Sequence, residues 1–225
     1  MYELIPRPRR TLAPGAVHVP GWLDLDRQRE LVLACREWAS EGPGIRAATL
    51  PGGATMSVRT VCLGWHWIPY RYSRTRDDQD GSPVAPFPQW LADLGRQAVS
   101  AAYDTGADTG AQDYAPDVAL INFYEGDARM GQHRDVEERC DAPVVSLSLG
   151  QGCVFRFGNP ERRGKPYTDV DLLSGDLVVF GGASRFAYHG VPRLGTDPDM
   201  PDIGLRSGRL NLTIRMSGLT DGPPE

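Results

Sequence analysis

Three residues set the chemistry this sequence can do: His133, Asp135 and His189. In GQHRDVEE (131–138), His133 and Asp135 stand with one residue between them. On an extended segment residues i and i+2 project to the same face, so both side chains can reach one point while Arg134 turns away. A third ligand must come from elsewhere, and the chain has four histidines. His18 lies near the N-terminus and His66 in a stretch rich in arginine and aromatics. His189, in RFAYHGVPR, follows the strand-like DLVVFGG (176–182), and a jelly roll can return it to the first pair. Two histidines and a carboxylate with open positions are the ligand set of non-haem iron oxygenases. His-Arg-Asp also opens the catalytic loop of protein kinases, but that reading fails on inventory. The only lysine, Lys165, lies downstream, Cys140 occupies the place of the required Asn, and no Gly-x-Gly-x-x-Gly precedes the motif.

The segment GRLNLTIRM (208–216) supplies the second clue. As a strand it puts Arg209, Asn211, Thr213 and Arg215 on one face and Leu210, Leu212, Ile214 and Met216 on the other. The apolar side is expected against a second sheet. Two arginines and an asparagine then face the lumen, where unpaired charge is expensive. A dicarboxylate such as 2-oxoglutarate answers that charge: an arginine fork grips one carboxylate while the keto-acid end chelates iron. In VALINFYE (118–125), Asn122 and Tyr124 share a face and can line the same lumen.

These residues need a scaffold that brings distant segments together. From about residue 117 the hydrophobic period is two, with candidate strands at 118–125, 143–150, 153–158, 169–175, 176–182 and 208–216. Many short strands without intervening helices imply an antiparallel sandwich or jelly roll. Two helices are expected before them as supports on a sheet. One covers 26–40, capped by Asp26, with Leu31, Cys35 and Trp38 on one side. The other covers 88–104, with Trp90, Leu91, Leu94, Ala98 and Ala101 in one stripe. A polar loop is expected over 193–208 and a frayed tail over TDGPPE (220–225). No linker separates two domains. The expected organisation is helical support and lid over 1–116, a catalytic core over 117–218 and a tail over 219–225.

A chain of 225 residues is long enough for one sizeable domain. Its 26 glycines and 19 prolines fit many turns and short strands better than a helical bundle. The net charge of −5 argues against a protein that coats nucleic acid non-specifically. Locally the balance differs: residues 42–76 hold Arg46, Arg59, Arg71, Arg74 and Arg76 and no acid, with Trp65, Trp67, Tyr70 and Tyr72 between them. Such a stretch suits a surface that grips phosphates and stacks on bases, or else an aromatic strand pair whose arginines are solvated. No stretch approaches the ~20 apolar residues of a membrane span. The start lacks the apolar core of a signal peptide, so a cytoplasmic protein without membrane contact is expected. The four cysteines (Cys35, Cys62, Cys140, Cys153) show no framework spacing and are expected as reduced thiols.

From roughly residue 45 to 218 the sequence resembles the AlkB family of iron(II)/2-oxoglutarate-dependent dioxygenases, near the bacterial branch that repairs alkylated nucleic acid. The segments carrying the resemblance are TMSV (55–58), LGW (63–65), LINFYEGD (120–127), HRD (133–135), PVVSLSLG (143–150), FRFG (155–158), SGDLVVFGGASRFAYHG (174–190) and RLNLTIR (209–215). The resemblance implies a mainly β protein with flanking helices, a double-stranded β-helix (jelly roll) with an N-terminal nucleotide-recognition lid. It implies Fe(II) on His133, Asp135 and His189, with 2-oxoglutarate and O2 as cosubstrates. Arg209, with Asn211 and Tyr124, is implied for the distal carboxylate of 2-oxoglutarate, and Arg215 and Asn122 for the other end. Trp65 is implied to stack on a flipped base opposite His133. Tyr70 and Tyr72 are assigned to the backbone or base edge, Met56 and Ser57 to the pocket wall, and Arg162 to the facing loop. Glu137 and Glu138 are placed to attract a cationic base, Glu137 being one methylene longer than the Asp of close relatives. Phe180 stands where the family commonly has Trp. The implied reaction is oxidative demethylation of N1-methyladenine or N3-methylcytosine with release of formaldehyde, succinate and CO2. Alkylated DNA is the expected partner, single strands favoured and RNA open as a second polymer, with the protein a monomer. Two other readings share these residues: a 2-oxoglutarate oxygenase acting on a small metabolite, and a non-catalytic jelly-roll module with a structural metal.

Overall fold

The computed structural model describes residues 6–103, 113–196 and 200–220. The chain runs through β1 (Arg10–Ala13), β2 (Ala16–Val19), α1 (Leu25–Ser40), β3 (Arg46–Thr49), β4 (Thr55–Leu63), β5 (His66–Ile68), β6 (Arg71–Ser73) and α2 (Gln89–Ala102). It continues through β7 (Val118–Tyr124), β8 (Met130–His133), β9 (Val144–Gly150), β10 (Cys153–Phe157), β11 (Thr168–Leu172), β12 (Leu177–Phe180), β13 (His189–Leu194) and β14 (Arg209–Arg215). All six strands expected from residue 118 onward form, and β1 to β6, β8 and β13 are additional. Residues 197–199 of the expected polar loop and 221–225 of the expected tail lie outside the described residues.

A large sheet has the order β1-β2-β12-β9-β14-β7-β4-β3 and faces a smaller one of order β11-β10-β13-β8. The third sheet is the hairpin β5-β6. Four strands of the large sheet come from before residue 117, so the N-terminal half is built into the sheet as well as onto it.

Alternation along β14 decides where its two faces go. Leu210, Leu212 and Ile214 pack with Ile121, Val145, Leu147, Leu149, Leu177 and Val179 beneath Leu31, Val32 and Cys35 of α1 and Leu91, Leu94 and Ala98 of α2. The apolar face thus lies under the helices and not against the second sheet, a correction to the sequence expectation. The helices take this layer because each presents an apolar stripe wide enough to cover the strands. A separate core between the two sheets joins Tyr124, Val144, Val178 and Phe180 to Phe155, Phe157, Leu172 and Val191. The odd-numbered face of β14 opens into the same space.

The helix details also shift. Asp24, not Asp26, caps α1, its Oδ1 accepting from the Arg27 N–H at 2.8 Å. Asp26 sits in the first turn and pairs with Arg29. On α2 the buried residues are Leu91, Ala92, Leu94, Gly95, Ala98, Val99 and Ala102. Trp90 and Ala101 are not among them; Trp90 stacks on Trp38 at 5.8 Å across the outer surface of the helix pair.

Asp176, in the turn between β11 and β12, ties down the N-terminal segment. Its buried carboxylate accepts from both terminal nitrogens of Arg7 (2.6 and 2.7 Å), from His18 Nε2 (2.9 Å) and from the backbone N–H of Gly21 and Leu173 (2.9 and 3.0 Å). Burial alone would raise its pKa; these donors outweigh it and hold the carboxyl below the usual range. All four cysteines are free thiols, three of them buried.

Candidate metal centre and its cavity

β8 and β13 pair antiparallel with His189 directly opposite His133. The pairing is tight because residue 190 is glycine: a Cβ there would lie 2.6 Å from the Met130 carbonyl oxygen. The imidazole centroids are 4.6 Å apart. Asp135 follows two residues past His133, and one ligand atom from each of the three residues lies within 4.8 Å of the others.

The backbone chooses the tautomer of both rings. Nδ1 of His133 is 3.0 Å from the Gly131 carbonyl, and Nδ1 of His189 is 3.0 Å from the Ala187 carbonyl. A carbonyl only accepts, so each Nδ1 carries the proton and each Nε2 keeps a lone pair turned toward Asp135 at 3.6 Å. Burial pushes the His189 pKa down to about 4, which keeps the ring neutral. Burial would raise Asp135, but Arg215, His189, His133 and Arg185 together drive it well below the usual carboxylate range. Neutral imidazoles and an ionised carboxylate are the protonation states that metal binding needs. Asp135 Oδ2 is buried without a hydrogen bond, although Arg215 Nη2 stands 3.0 Å away. The donor set and this unsatisfied oxygen fit a divalent iron.

Below the ligands a charge network closes on itself. Arg215 Nη1 donates to Glu138 Oε1 at 2.9 Å, and the Tyr72 hydroxyl donates to the same oxygen at 2.7 Å. Arg185, 1% exposed, donates to Glu138 Oε2 (3.0 Å), the Asp135 carbonyl (3.0 Å) and the Ala142 carbonyl (2.7 Å). Two arginines thus balance two carboxylates, which is what makes four buried charges tolerable. Arg209 is outside this balance. Its Nη2 donates to Ser148 Oγ at 3.0 Å, while Nε and Nη1 are buried with no partner among the described residues. Beside it Asn211 Nδ2 donates to Ser146 Oγ and the Leu147 carbonyl. Thr60 donates to Asn122 Oδ1 at 2.8 Å. The unpaired guanidinium calls for an anion.

A cavity of about 400 Å³ joins these groups. His133, Asp135, His189, Asn122, Tyr124, Arg209, Asn211 and Arg215 all line it, together with Phe180. Of the eight residues the resemblance assigns to substrate, Met56, Tyr70 and Glu137 line it. Burial, followed by the charge of Asp135, raises the Glu137 pKa.

The other five do not, each for a physical reason. Trp65 is 6% exposed; its indole Nε1 donates to Asp117 at 2.9 Å and Arg74 covers its ring at 3.6 Å. Gly64, at φ +76°, breaks the alternation after β4 and lies against Asp117, so Trp65 turns inward. Tyr72 and Glu138 are bonded to each other within the charge network. The exposed Ser57 bridges to the backbone of Arg129. The Arg162 guanidinium folds back on the Lys165 carbonyl.

The acid-free stretch 42–76 spans four strands, β3 to β6, and its arginines have partners within the protein: Arg46 with Asp78, Arg71 with Asp77, Arg59 with Glu125, Arg74 over Trp65 and a buried Arg76 on Ser82. The exposed positive charge at the cavity belongs to Arg129, Arg134 and Arg163.

Sequence reasoning missed Ser146, Ser148 and Arg185, and named Trp67 only as one aromatic of the stretch 42–76. The serines were findable, because alternation in PVVSLSLG puts both on one face. Arg185 carried no local signal.

A family model described as the 2OG-Fe(II) oxygenase superfamily matches residues 15–215. The chain belongs to that superfamily. Within it the chain is 38% identical over 215 residues to the alpha-ketoglutarate-dependent dioxygenase AlkB of Escherichia coli (strain K12), covering 92% of each. This similarity places it in the AlkB family. It is 32% identical over 222 residues to the DNA N(6)-methyladenine demethylase ALKBH1C of Arabidopsis thaliana, covering 91% of this chain and 49% of that one. The chain spans about half the length of the plant relatives it matches. The solved structure of OsALKBH1 matches with a TM-score of 0.80 at 30% identity, over 93% of this chain and all of that one. 2OG-Fe(II) oxygenases use Fe(II), 2-oxoglutarate and O2, and the His133–Asp135–His189 cluster is the ligand set such an enzyme requires.

Proposed function

We propose that this protein is an Fe(II)/2-oxoglutarate-dependent dioxygenase that demethylates alkylated bases in nucleic acid. The observation that carries this reading is the shared cavity: the ligand cluster and the unpaired Arg209 line it together with Trp67, Tyr70 and three exposed arginines. In this reading His133 and His189 would hold the iron through Nε2 and Asp135 through a carboxylate oxygen. Bound iron with 2-oxoglutarate and dioxygen supplies oxidation of an N-methyl C–H, which releases formaldehyde, succinate and CO2. Arg209 grips the distal carboxylate with the two nitrogens that have no other partner, assisted by Asn211 and Tyr124. Arg215 and Asn122 bound the other end.

Arg129, Arg134 and Arg163 meet phosphates, which position the strand without reading it. Glu137 faces the charge of an N1-methyladenine or N3-methylcytosine. Single-stranded DNA is the favoured polymer, because an unpaired base is extruded at least cost, and RNA is the second. The ligands and carboxylate anchors come from one chain, which suits a monomer. Four free thiols suit the reducing cytoplasm. Among the described residues no helix is long and apolar enough to cross a membrane.

The test is mass spectrometry of oligonucleotides carrying N1-methyladenine, N3-methylcytosine or N6-methyladenine after incubation with Fe(II), 2-oxoglutarate and air. Loss of a methyl group with formaldehyde matching succinate is expected, with rates falling steeply as salt rises. Oxidation of a free small molecule but of no oligonucleotide would establish the metabolite reading instead. Absence of 2-oxoglutarate consumption in the iron-loaded protein would leave only a binding module.

A further inference from the structure

We propose that Arg185 is the positioning residue that fixes Asp135 as a metal ligand. The proposal rests on the reading of His133, Asp135 and His189 as the iron ligands, and names the residue that aims one of them.

Of the three, Asp135 stands on the least regular backbone. His133 ends β8 and His189 opens β13, so their main chains are set by the ladder that pairs them. Residues 134–143, which carry Asp135, form neither helix nor strand. Such a segment takes its shape from the partners its polar groups find. Arg185 meets it at three points along its length. It donates to the Asp135 carbonyl at 3.0 Å, to Glu138 Oε2 at 3.0 Å and to the Ala142 carbonyl at 2.7 Å. A guanidinium is planar and its N–H groups diverge in a rigid fork, so acceptors bound to one are held at set mutual positions. Arg215 acts on the Asp135 side chain, Nη2 to Oδ2 at 3.0 Å, whereas Arg185 acts on the backbone that carries it.

Arg185 is itself fixed. Its N–H closes the short 3-10 turn Gly182–Ser184 on the Gly182 carbonyl at 3.0 Å. That turn is fastened to the β1–β2 connection, by Ser184 Oγ on the Pro14 carbonyl (2.7 Å) and the Gly181 N–H on the Gly15 carbonyl (2.9 Å). Just beyond Arg185, the Ala187 carbonyl receives Nδ1 of His189. The segment 182–189 therefore supplies one ligand, orients its ring and holds the backbone of a second. A counter-charge for Glu138 would not need this geometry, and lysine would serve as well. The three divergent bonds need arginine.

That difference is the test. Arg185→Lys keeps the charge facing Glu138 and loses the fork. Anaerobic titration of Fe(II) into the metal-free protein reads affinity without turnover. Binding in Arg185→Lys is expected to weaken roughly tenfold to a hundredfold, measured well below its melting temperature. Arg7→Ala cuts a buried ion pair with Asp176, neither residue of which lines the cavity. It should lower the melting temperature and leave iron affinity unchanged. Unaltered affinity in Arg185→Lys would make Arg185 a counter-charge only, and equal weakening in Arg7→Ala would make general destabilisation the cause. Either result overturns the proposal. Limited trypsin digestion gives an arm that needs no variant to fold, since Arg134 and Arg139 are exposed within the segment. The metal-free unsubstituted protein should resist cleavage at both, and rapid cutting there overturns the proposal. Failure of the unsubstituted protein to bind Fe(II) would defeat the iron-ligand reading and this proposal with it. Full binding retained in Arg185→Lys defeats this proposal alone.

Discussion

Two regions meet in the cavity, and they are held in different ways. The floor belongs to the sheets: β14 is hydrogen-bonded along its length to β7 on one side and β9 on the other, and β13 lies between β10 and β8. The other region is the hairpin β5–β6, the lid of the proposed reading, whose two three-residue strands pair only with each other among the described residues. Side chains tie it to the rest of the protein, through Tyr72 on the buried Glu138, His66 on Asp78 and Arg46 on the Trp67 carbonyl. Backbone ladders give way together, whereas single side-chain contacts open one at a time. The sheets are therefore the more rigid region, and in the proposed reading the hairpin is the part that yields when a polymer enters and leaves.

Substitutions can break or sharpen that contrast. The largest effect belongs to the floor. Alanine at His133, Asp135 or His189 should abolish iron-dependent 2-oxoglutarate consumption and reduce iron retention, measured by metal analysis after desalting. His18 and His66, each bonded to an aspartate, should be dispensable for iron. Full iron occupancy without His189 would remove the assignment.

Next comes Arg209→Ala. Removing one partner of a buried charge pair costs about 3–5 kcal/mol, a factor of hundreds or more in the apparent 2-oxoglutarate requirement. Affinity for an oligonucleotide should not change. A normal requirement would place the carboxylate elsewhere.

The lid should answer with the opposite selectivity. Tyr72→Phe removes a hydrogen bond to a charged carboxylate, worth about 1.5–3 kcal/mol. Oligonucleotide KM should rise roughly tenfold while the 2-oxoglutarate KM stays within about twofold. Parallel rises in both would mean that floor and lid are one rigid unit.

The smallest effect tests how Arg209 is aimed. Ser148→Ala deletes the 3.0 Å bond to Arg209 Nη2. The 2-oxoglutarate KM should rise about fivefold, corresponding to one hydrogen bond of about 1 kcal/mol, and threonine should restore it. No change would show that packing alone orients the guanidinium.

The same contrast explains what the sequence revealed. Residues on β7, β9 and β14 were legible because seven-residue strands keep strict alternation, so Arg209, Asn211 and Arg215 had to share a face. His189 was legible through its ring chemistry and its place after a strand. In the lid, local pattern failed. Trp65 and Trp67 have the same parity, yet Trp65 stands before β5 begins at His66, so strand alternation does not tie the one to the other. The arginines of 42–76 looked unopposed because Asp77, Asp78 and Glu125 lie just beyond that window or far along the chain. The apolar face of β14 was assigned to a second sheet because alternation tells which residues share a side, not which layer covers it.

The place of β14 has a consequence for how the molecule comes into being. It is late in the chain yet inserts between β7 and β9, near the middle of the large sheet. A polypeptide ending before Arg209 would carry both neighbours with bare hydrogen-bonding edges, the arrangement most prone to pair with another chain. It would also lack Arg209, Asn211 and Arg215. During synthesis, then, closure of the sheet and completion of the cavity wall are a single event. A partly made protein has neither a finished core nor a pocket in which oxygen could be activated out of turn.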